Sequence, residues 1–405
     1  MSLSSKKLSR HSLQLLYFSR FILTTIPAQA ALLLLYMRKP VLPVKFLFYI
    51  LCVIFYWACI FSFGYSAIRF QHVLFYFSFI PPLVILSSQK QPDVPVFISD
   101  RFIIAIFALT ILEAILVNSP IAEHLYFFSL PEDSSERVKF MGFYQRPLGI
   151  AGNASMTSCV LIFSVVLADT VKDILTGISS YEKCTSHAST REHTDNIFTY
   201  RTLLLIVSIL ILASGTGFVL LLLYLSFKLF SRFQLKLNSL LQLIGMVALL
   251  IVCIYGSIYL TTTIDDFDKF SMSYAELIYD YKIEIVRSNL EMQNANLISV
   301  LFGMQTETSL SEALTSGDFG YIVMYNAIGL FGSILVLIVP LLFISTITKF
   351  IIPTIFFYLS FVHYPGLLSP PGAVLFSLYI YLMLNYNHYD RHQHATDNIT
   401  HYRLI

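Results

Sequence analysis

Long apolar stretches recur along this chain, and they leave it few folds to choose from. Lipid offers backbone N–H and C=O groups no partner, so a segment that crosses a bilayer must satisfy them internally, as a helix of about 20 apolar residues does. Such stretches occupy 13–37, 44–63, 69–87, 102–118, 148–168, 201–213, 217–231, 238–261, 319–345, 348–363 and 370–386. Between them no polar interval is long enough to build a separate soluble domain, and only 12% of the residues are charged. A soluble domain carries about 25%. The expectation is an all-α polytopic membrane protein with about eleven (10–12) transmembrane helices, and residues 1–405 form a single integral domain. The sixth and seventh stretches are short and meet at Ser214-Gly215-Thr216-Gly217. They read either as two helices joined by a tight turn or as one long broken helix.

Lysine and arginine set the orientation. Lys228, Arg232 and Lys236 fill one connection, and Lys172, Lys183, Arg191 and Arg201 another. Lys90 with Arg101, and Arg38 and Lys39 with Lys45, fill two more. Eleven spans place all four on the cytoplasmic side, and 119–147 and 262–318 outside. The same count places the N-terminus outside, against Lys6, Lys7 and Arg10, so its side stays open. The first apolar stretch runs on to residue 37 and reads as a retained span. The polar cytoplasmic tail, 387–405, carries His388, His392, His394 and His401 at irregular spacing, which reads as a solvated tail rather than a metal site. Cys52, Cys59, Cys159, Cys184 and Cys253 show neither metal-ligand nor disulfide spacing. No cofactor and no metal is expected. The net charge of +2 supports no nucleic-acid partner.

Two outer segments hold the chemistry. The 262–318 loop carries ten acids and three bases (Lys269, Lys282 and Arg287), a local charge of −7. Within it Tyr274, Ile278, Tyr281, Ile285 and Met292 share one helical face, and Asp280, Glu284, Arg287 and Glu291 another. That helix either lies solvated on the bilayer, with Arg287 paired to a glutamate, or roofs a cavity into which Arg287 or Lys282 points. A guanidinium suits a diphosphate because its planar fork donates two parallel hydrogen bonds. In 119–147, Arg146 stands immediately before a predicted span, where its charge opposes the helix dipole unless an anion joins it. The plainer reading is an arginine reaching to lipid phosphate. Arg137 and Lys139 lie among Glu132, Asp133 and Glu136 and read as paired. Glu113 lies inside a span near its outer end, a position that marks function by default; pairing with Arg69 or Arg20 is the structural alternative.

Three stretches carry a family likeness. Arg146-Pro-Leu-Gly149-Ile-Ala-Gly-Asn153 opens a span, and Leu212-Ala-Ser214-Gly215-Thr216-Gly217 closes one span and opens the next. Leu301-Phe302-Gly303, then Asp318-Phe-Gly-Tyr321, then Ile328-Gly329-Leu-Phe-Gly332 follow the large loop. In this order the chain resembles the Wzy-type O-antigen polymerases over roughly 140–345 and, more distantly, the O-antigen ligases. The second element has no arginine where the family pattern has one.

The resemblance implies a GT-C-like glycosyltransferase with a large periplasmic loop containing short helices, set in a bacterial inner membrane. It implies that both donor and acceptor are glycans linked to undecaprenyl diphosphate. A flippase and a chain-length regulator are implied partners besides the bilayer. The reaction needs cations on the leaving diphosphate and a base for the acceptor hydroxyl. Arg146, Arg287 and Lys282 are the candidates for the first role. His363, Asp318 and His124 are the candidates for catalysis. Each has a plainer reading: interfacial hydrogen bonding for the histidines, capping of the following span for Asp318. The rival functions are an O-antigen ligase, a lipid-linked oligosaccharide flippase and a scaffold without chemistry.

Overall fold

The computed structural model describes residues 13, 14, 17, 44–63, 67–87, 98–119, 139–140, 144–145, 147–183, 200–232, 280, 283, 284, 287, 297–303, 320–343, 347 and 350–385. Helices dominate them. They are α1 (Val44–Phe63), α2 (Ala67–Tyr76), α3 (Ile80–Ser87), α4 (Asp100–Val117), α5 (Ala154–Lys183), α6 (Tyr200–Leu212) and α7 (Gly215–Arg232). Then come α8 (Leu297–Phe302), α9 (Gly320–Ile338), α10 (Ile351–Ser360) and α11 (Pro370–Asn385). Strand pairing among the described residues is one two-residue ladder, Lys139–Phe140 with Tyr144–Gln145, antiparallel. The expected spans 13–37 and 238–261 lie outside the described residues, apart from Leu13, Gln14 and Tyr17.

Among the described residues, three helical stretches are long and apolar enough to cross a membrane: Val44–Ser62, Ala154–Ile174 and Gly320–Phe343, the last running on through a 3-10 turn. Their surroundings differ. On α1, Phe46, Tyr49, Val53, Tyr56 and Ile60 are buried, at alternating spacings of three and four. The other face exposes Leu47, Phe48, Leu51, Ile54 and Phe55. A helix apolar on both faces but packed on only one belongs against lipid rather than water. On α5, every residue from Ala154 to Ala168 is buried, and α11 is likewise buried from Pro371 to Met383. These two form the centre, joined by Phe163 edge-on to Tyr379 at 5.8 Å. Phe357 of α10 stacks on Phe376 of α11 at 4.3 Å.

Local chemistry explains where helices break. The expected 69–87 span is two helices, because Pro81 and Pro82 cannot donate to the carbonyls behind them. Two hydrogen bonds tie the break to α11 and its approach: Ser377 Oγ donates to Phe79 O at 2.6 Å, and Ser78 Oγ donates to Leu368 O at 2.8 Å. In α9, Gly329 sits at φ 65°, a kink inside the helix. Tyr56 Oη donates to the Ile328 carbonyl beside the kink at 2.6 Å. Gly303 (φ 86°) faces it, and a Cβ on Gly329 would collide with the Gly303 nitrogen. The chain just after α8 thus packs backbone to backbone against the middle of α9.

The stretch around 214 is the tight turn, not a broken helix. α6 and α7 run antiparallel, with Lys228 Nζ 3.2 Å from Thr202 Oγ1 at their far ends. Ala213 closes α6 at φ 46°, its N–H donating to Ile209 O and Leu210 O. Ser214 then caps α7, its Oγ accepting from Gly217 N at 3.2 Å. A left-handed alanine costs about 1 kcal/mol relative to glycine. Ala213→Gly is therefore expected to raise the thermal stability of the detergent-solubilised protein by about 0.5–1 kcal/mol. A lower midpoint for that variant would show that the turn is held by something other than backbone conformation.

Candidate functional site

The helix ends gather into two polar clusters at opposite ends of the described bundle. One gathers around Gly149, the other around Arg201.

At the Gly149 end, the first outer loop meets the start of α5. The helix begins at Ala154, eight residues after Arg146, and not at 148 as the apolar run suggests. Pro147, Gly149 (φ 71°), Gly152 (φ 79°) and the cap Asn153 keep the intervening chain out of helix. The helix dipole acts only within the first turn, so it sets no requirement on a residue eight positions before α5. The first amides of α5 are also occupied: Asn153 Oδ1 accepts from Ser155 N at 2.8 Å and Met156 N at 3.3 Å.

The loop itself is fixed from two sides. Thr157 Oγ1 donates to Leu148 O at 2.7 Å and accepts from Ala151 N at 3.1 Å. Gly149 lies so close to Thr157 that a Cβ there would overlap the threonine side chain. From α4, the Glu113 carboxylate accepts from Leu148 N at 3.2 Å through Oε1 and from Gly149 N at 2.8 Å through Oε2. Glu113 is 2% exposed. Arg20 and the Arg69 side chain, the pairing partners the sequence suggested, lie outside the described residues.

The second and third likeness elements arrive at the same end. Ser155 Oγ lies 3.0 Å from Ser214 Oγ, joining the α5 start to the α6–α7 turn. A Cβ on Gly366 would sit 2.9 Å from Cys159 Cβ and 3.1 Å from Met156 Cα, so the chain after α10 rests on the first turns of α5. A Cβ on Gly320 would sit 2.5 Å from Phe361 O and 3.3 Å from His363 O. Tyr321 Oη donates to Tyr358 O at 2.6 Å. The start of α9 therefore packs on the turn that carries His363. The His363 ring is half-buried, 4.1 Å centroid to centroid from Tyr364.

Of the candidate residues, His363 is thus placed at this end, and Arg287 is helical and exposed alongside Asp280 and Glu284. Arg146, Lys282, Asp318 and His124 lie outside the described residues. No group of three or more metal-ligating side chains occurs among the described residues. Cys52, Cys59 and Cys159 are free thiols. Sequence reasoning missed the hydroxyls of Ser155, Thr157 and Ser214. Ser155 and Thr157 were hidden inside the apolar run 148–168, and Ser214 was read only as part of a turn.

The Arg201 end is an ion network. Arg201 contacts Asp100 at 3.2 Å and Asp169 at 3.7 Å, with its side chain only 10% exposed. Lys228 contacts Asp169 at 3.1 Å and lies over the Tyr224 ring. Tyr224 Oη donates to Asp169 at 2.7 Å, and Tyr200 Oη donates to Asp100. Two acids from α4 and α5 thus meet two bases from α6 and α7. The sequence used Arg201 and Lys228 only to orient loops, because partners so far apart along the chain leave no spacing signal. No protein-family model, no curated protein and no solved structure matches this chain.

Proposed function

We propose that the chain is an O-antigen polymerase of the bacterial inner membrane, GT-C-like with about eleven spans, whose Gly149 end faces the periplasm. An acceptor hydroxyl on one undecaprenyl-diphosphate-linked repeat unit attacks the anomeric carbon of the donor glycan. The bond from that carbon to the donor's diphosphate breaks, and lipid diphosphate leaves with the electron pair. Arg146, Arg287 and Lys282 neutralise the charge that develops on it. His363, with Asp318 and His124 as the other candidates, takes the hydroxyl proton. No metal is needed when guanidinium groups supply the positive charge.

The observation that supports this reading is convergence. Three stretches that resemble the polymerase pattern have members that pack at one end: Gly149 on Thr157, Ser155 on Ser214, and Gly320 on the His363 turn, which itself rests on Met156. Convergence of the cations and the histidine at that end is what the chemistry requires. The ion network occupies the opposite end, at connections where lysine and arginine predominate, which fits a cytoplasmic placement.

A deletion strain tests the function. Loss of a polymerase leaves lipid A-core capped with one repeat unit. Uncapped core with polymer still on the carrier would identify a ligase instead. Single carrier-linked units held on the cytoplasmic face would identify a flippase. Either of those patterns overturns the proposal.

A further inference from the structure

We propose that Glu113 is a positioning residue: its carboxylate, reaching from α4, holds the backbone of Leu148 and Gly149 and so sets the course of the loop that follows Arg146 in the sequence. The proposal rests on the polymerase reading and deepens it. Glu113 is buried in a helix that is otherwise almost wholly apolar, and ionisable groups in such places are costly. Each of its oxygens meets one backbone N–H, at 3.2 and 2.8 Å. Those donors come two and three residues after Arg146 in the chain.

The rest of the loop explains why an anchor is placed there. Pro147 has no N–H to donate. Leu148 O and Ala151 N are held by Thr157, and Gly149 O accepts from Gly152 N at 3.2 Å. The N–H groups of Leu148 and Gly149 are turned the other way, across the interface to α4. Without Glu113 those two N–H groups would lose the acceptor that α4 supplies. A shift of about 1 Å in a group that must meet a leaving diphosphate is enough to cost about 10²-fold in rate. A carboxylate suits the task better than an amide, because both of its oxygens accept. A glutamine at the same place accepts through one oxygen and turns an NH2 group toward the second N–H.

The test uses the full-length protein in proteoliposomes with the carrier-linked repeat unit as substrate, comparing wild type with Glu113→Gln and Glu113→Asp. Glu113→Gln is expected to lower kcat at least about tenfold with KM moved far less, since the lost interaction acts on the transition state. Amide hydrogen exchange at Leu148 and Gly149 is expected to accelerate, with the thermal midpoint close to wild type. Glu113→Asp restores two acceptor oxygens and is expected to recover part of kcat and part of the protection. A glutamine variant with wild-type kcat overturns the proposal, as does unchanged exchange at the two amides. Activity lost only in step with folded protein also overturns it, because that is what a packing role would give. If wild-type protein makes no polymer, the polymerase reading fails, and the anchor then stands or falls on the exchange measurement alone.

Discussion

Arg146→Ala is expected to abolish long-chain polysaccharide while leaving the protein at normal abundance in the membrane. The argument is electrostatic. On the polymerase reading, breaking the bond from the anomeric carbon adds a negative charge to a diphosphate that already carries two, beside apolar helices where screening is weak. A guanidinium donates to two phosphate oxygens at once and stays protonated there. Removing one such donor from a site that stabilises developing charge costs about 10²–10³ in rate. A polymer needs many successive transfers, so a slowdown of that size leaves chiefly core capped with one unit. Arg146→Lys retains the charge but not the fork and is expected to fall between. Arg287→Ala is expected to act in the same direction, from an exposed helical position in the large loop. Normal-length polymer from both alanine variants, at normal yield, would remove the diphosphate assignment.

The second large effect concerns stability. Asp169 is the hub of the ion network, touched by Arg201, Lys228 and Tyr224. Its side chain is 21% exposed, so water screens it only in part. Breaking a fully buried pair by removing one partner costs about 3–5 kcal/mol, and an exposed pair about 0–1. Asp169→Ala lies between and is expected to cost about 2 kcal/mol, because two cations and a phenol lose their acceptor together. Asp169→Asn keeps the Tyr224 hydrogen bond and is expected to lose less. Thermal unfolding in detergent reads both. If Asp169→Ala melts with wild type, the network is incidental to the packing of α5 against α6 and α7.

The apolar runs told most about the helices. α1 occupies the residues its run predicts, because nothing in 44–63 competes with helix once lipid removes the alternatives. The α5 start was misjudged because Leu148, Ile150 and Ala151 are apolar and read as span. Only the backbone shows that Gly149 and Gly152 turn there. α5 also runs on to Lys183, past the expected end at 168, since helix formation does not stop where the membrane does. The candidate site was legible as a set of residue types and far less as a set of contacts. His363 was visible as a histidine at a span end. Its neighbourhood was not, because Gly320 and Met156 come from distant parts of the chain. Glu113 was visible as an anomaly, but its partners are backbone amides, and an amide leaves no signature in side-chain identity.

The ion network also bears on how the chain is built into its membrane. Synthesis delivers Asp100 and Asp169 before Arg201 and Lys228. The α6–α7 hairpin therefore reaches the bilayer as a pair of short helices with Arg201 near one free end and Lys228 near the other. Its acidic counterparts are already anchored on α4 and α5. Docking of the hairpin then converts two isolated positive charges into paired ones, which makes withdrawal costly once the contacts form. The linear order of acids first and bases second gives assembly a direction that the finished bundle no longer displays.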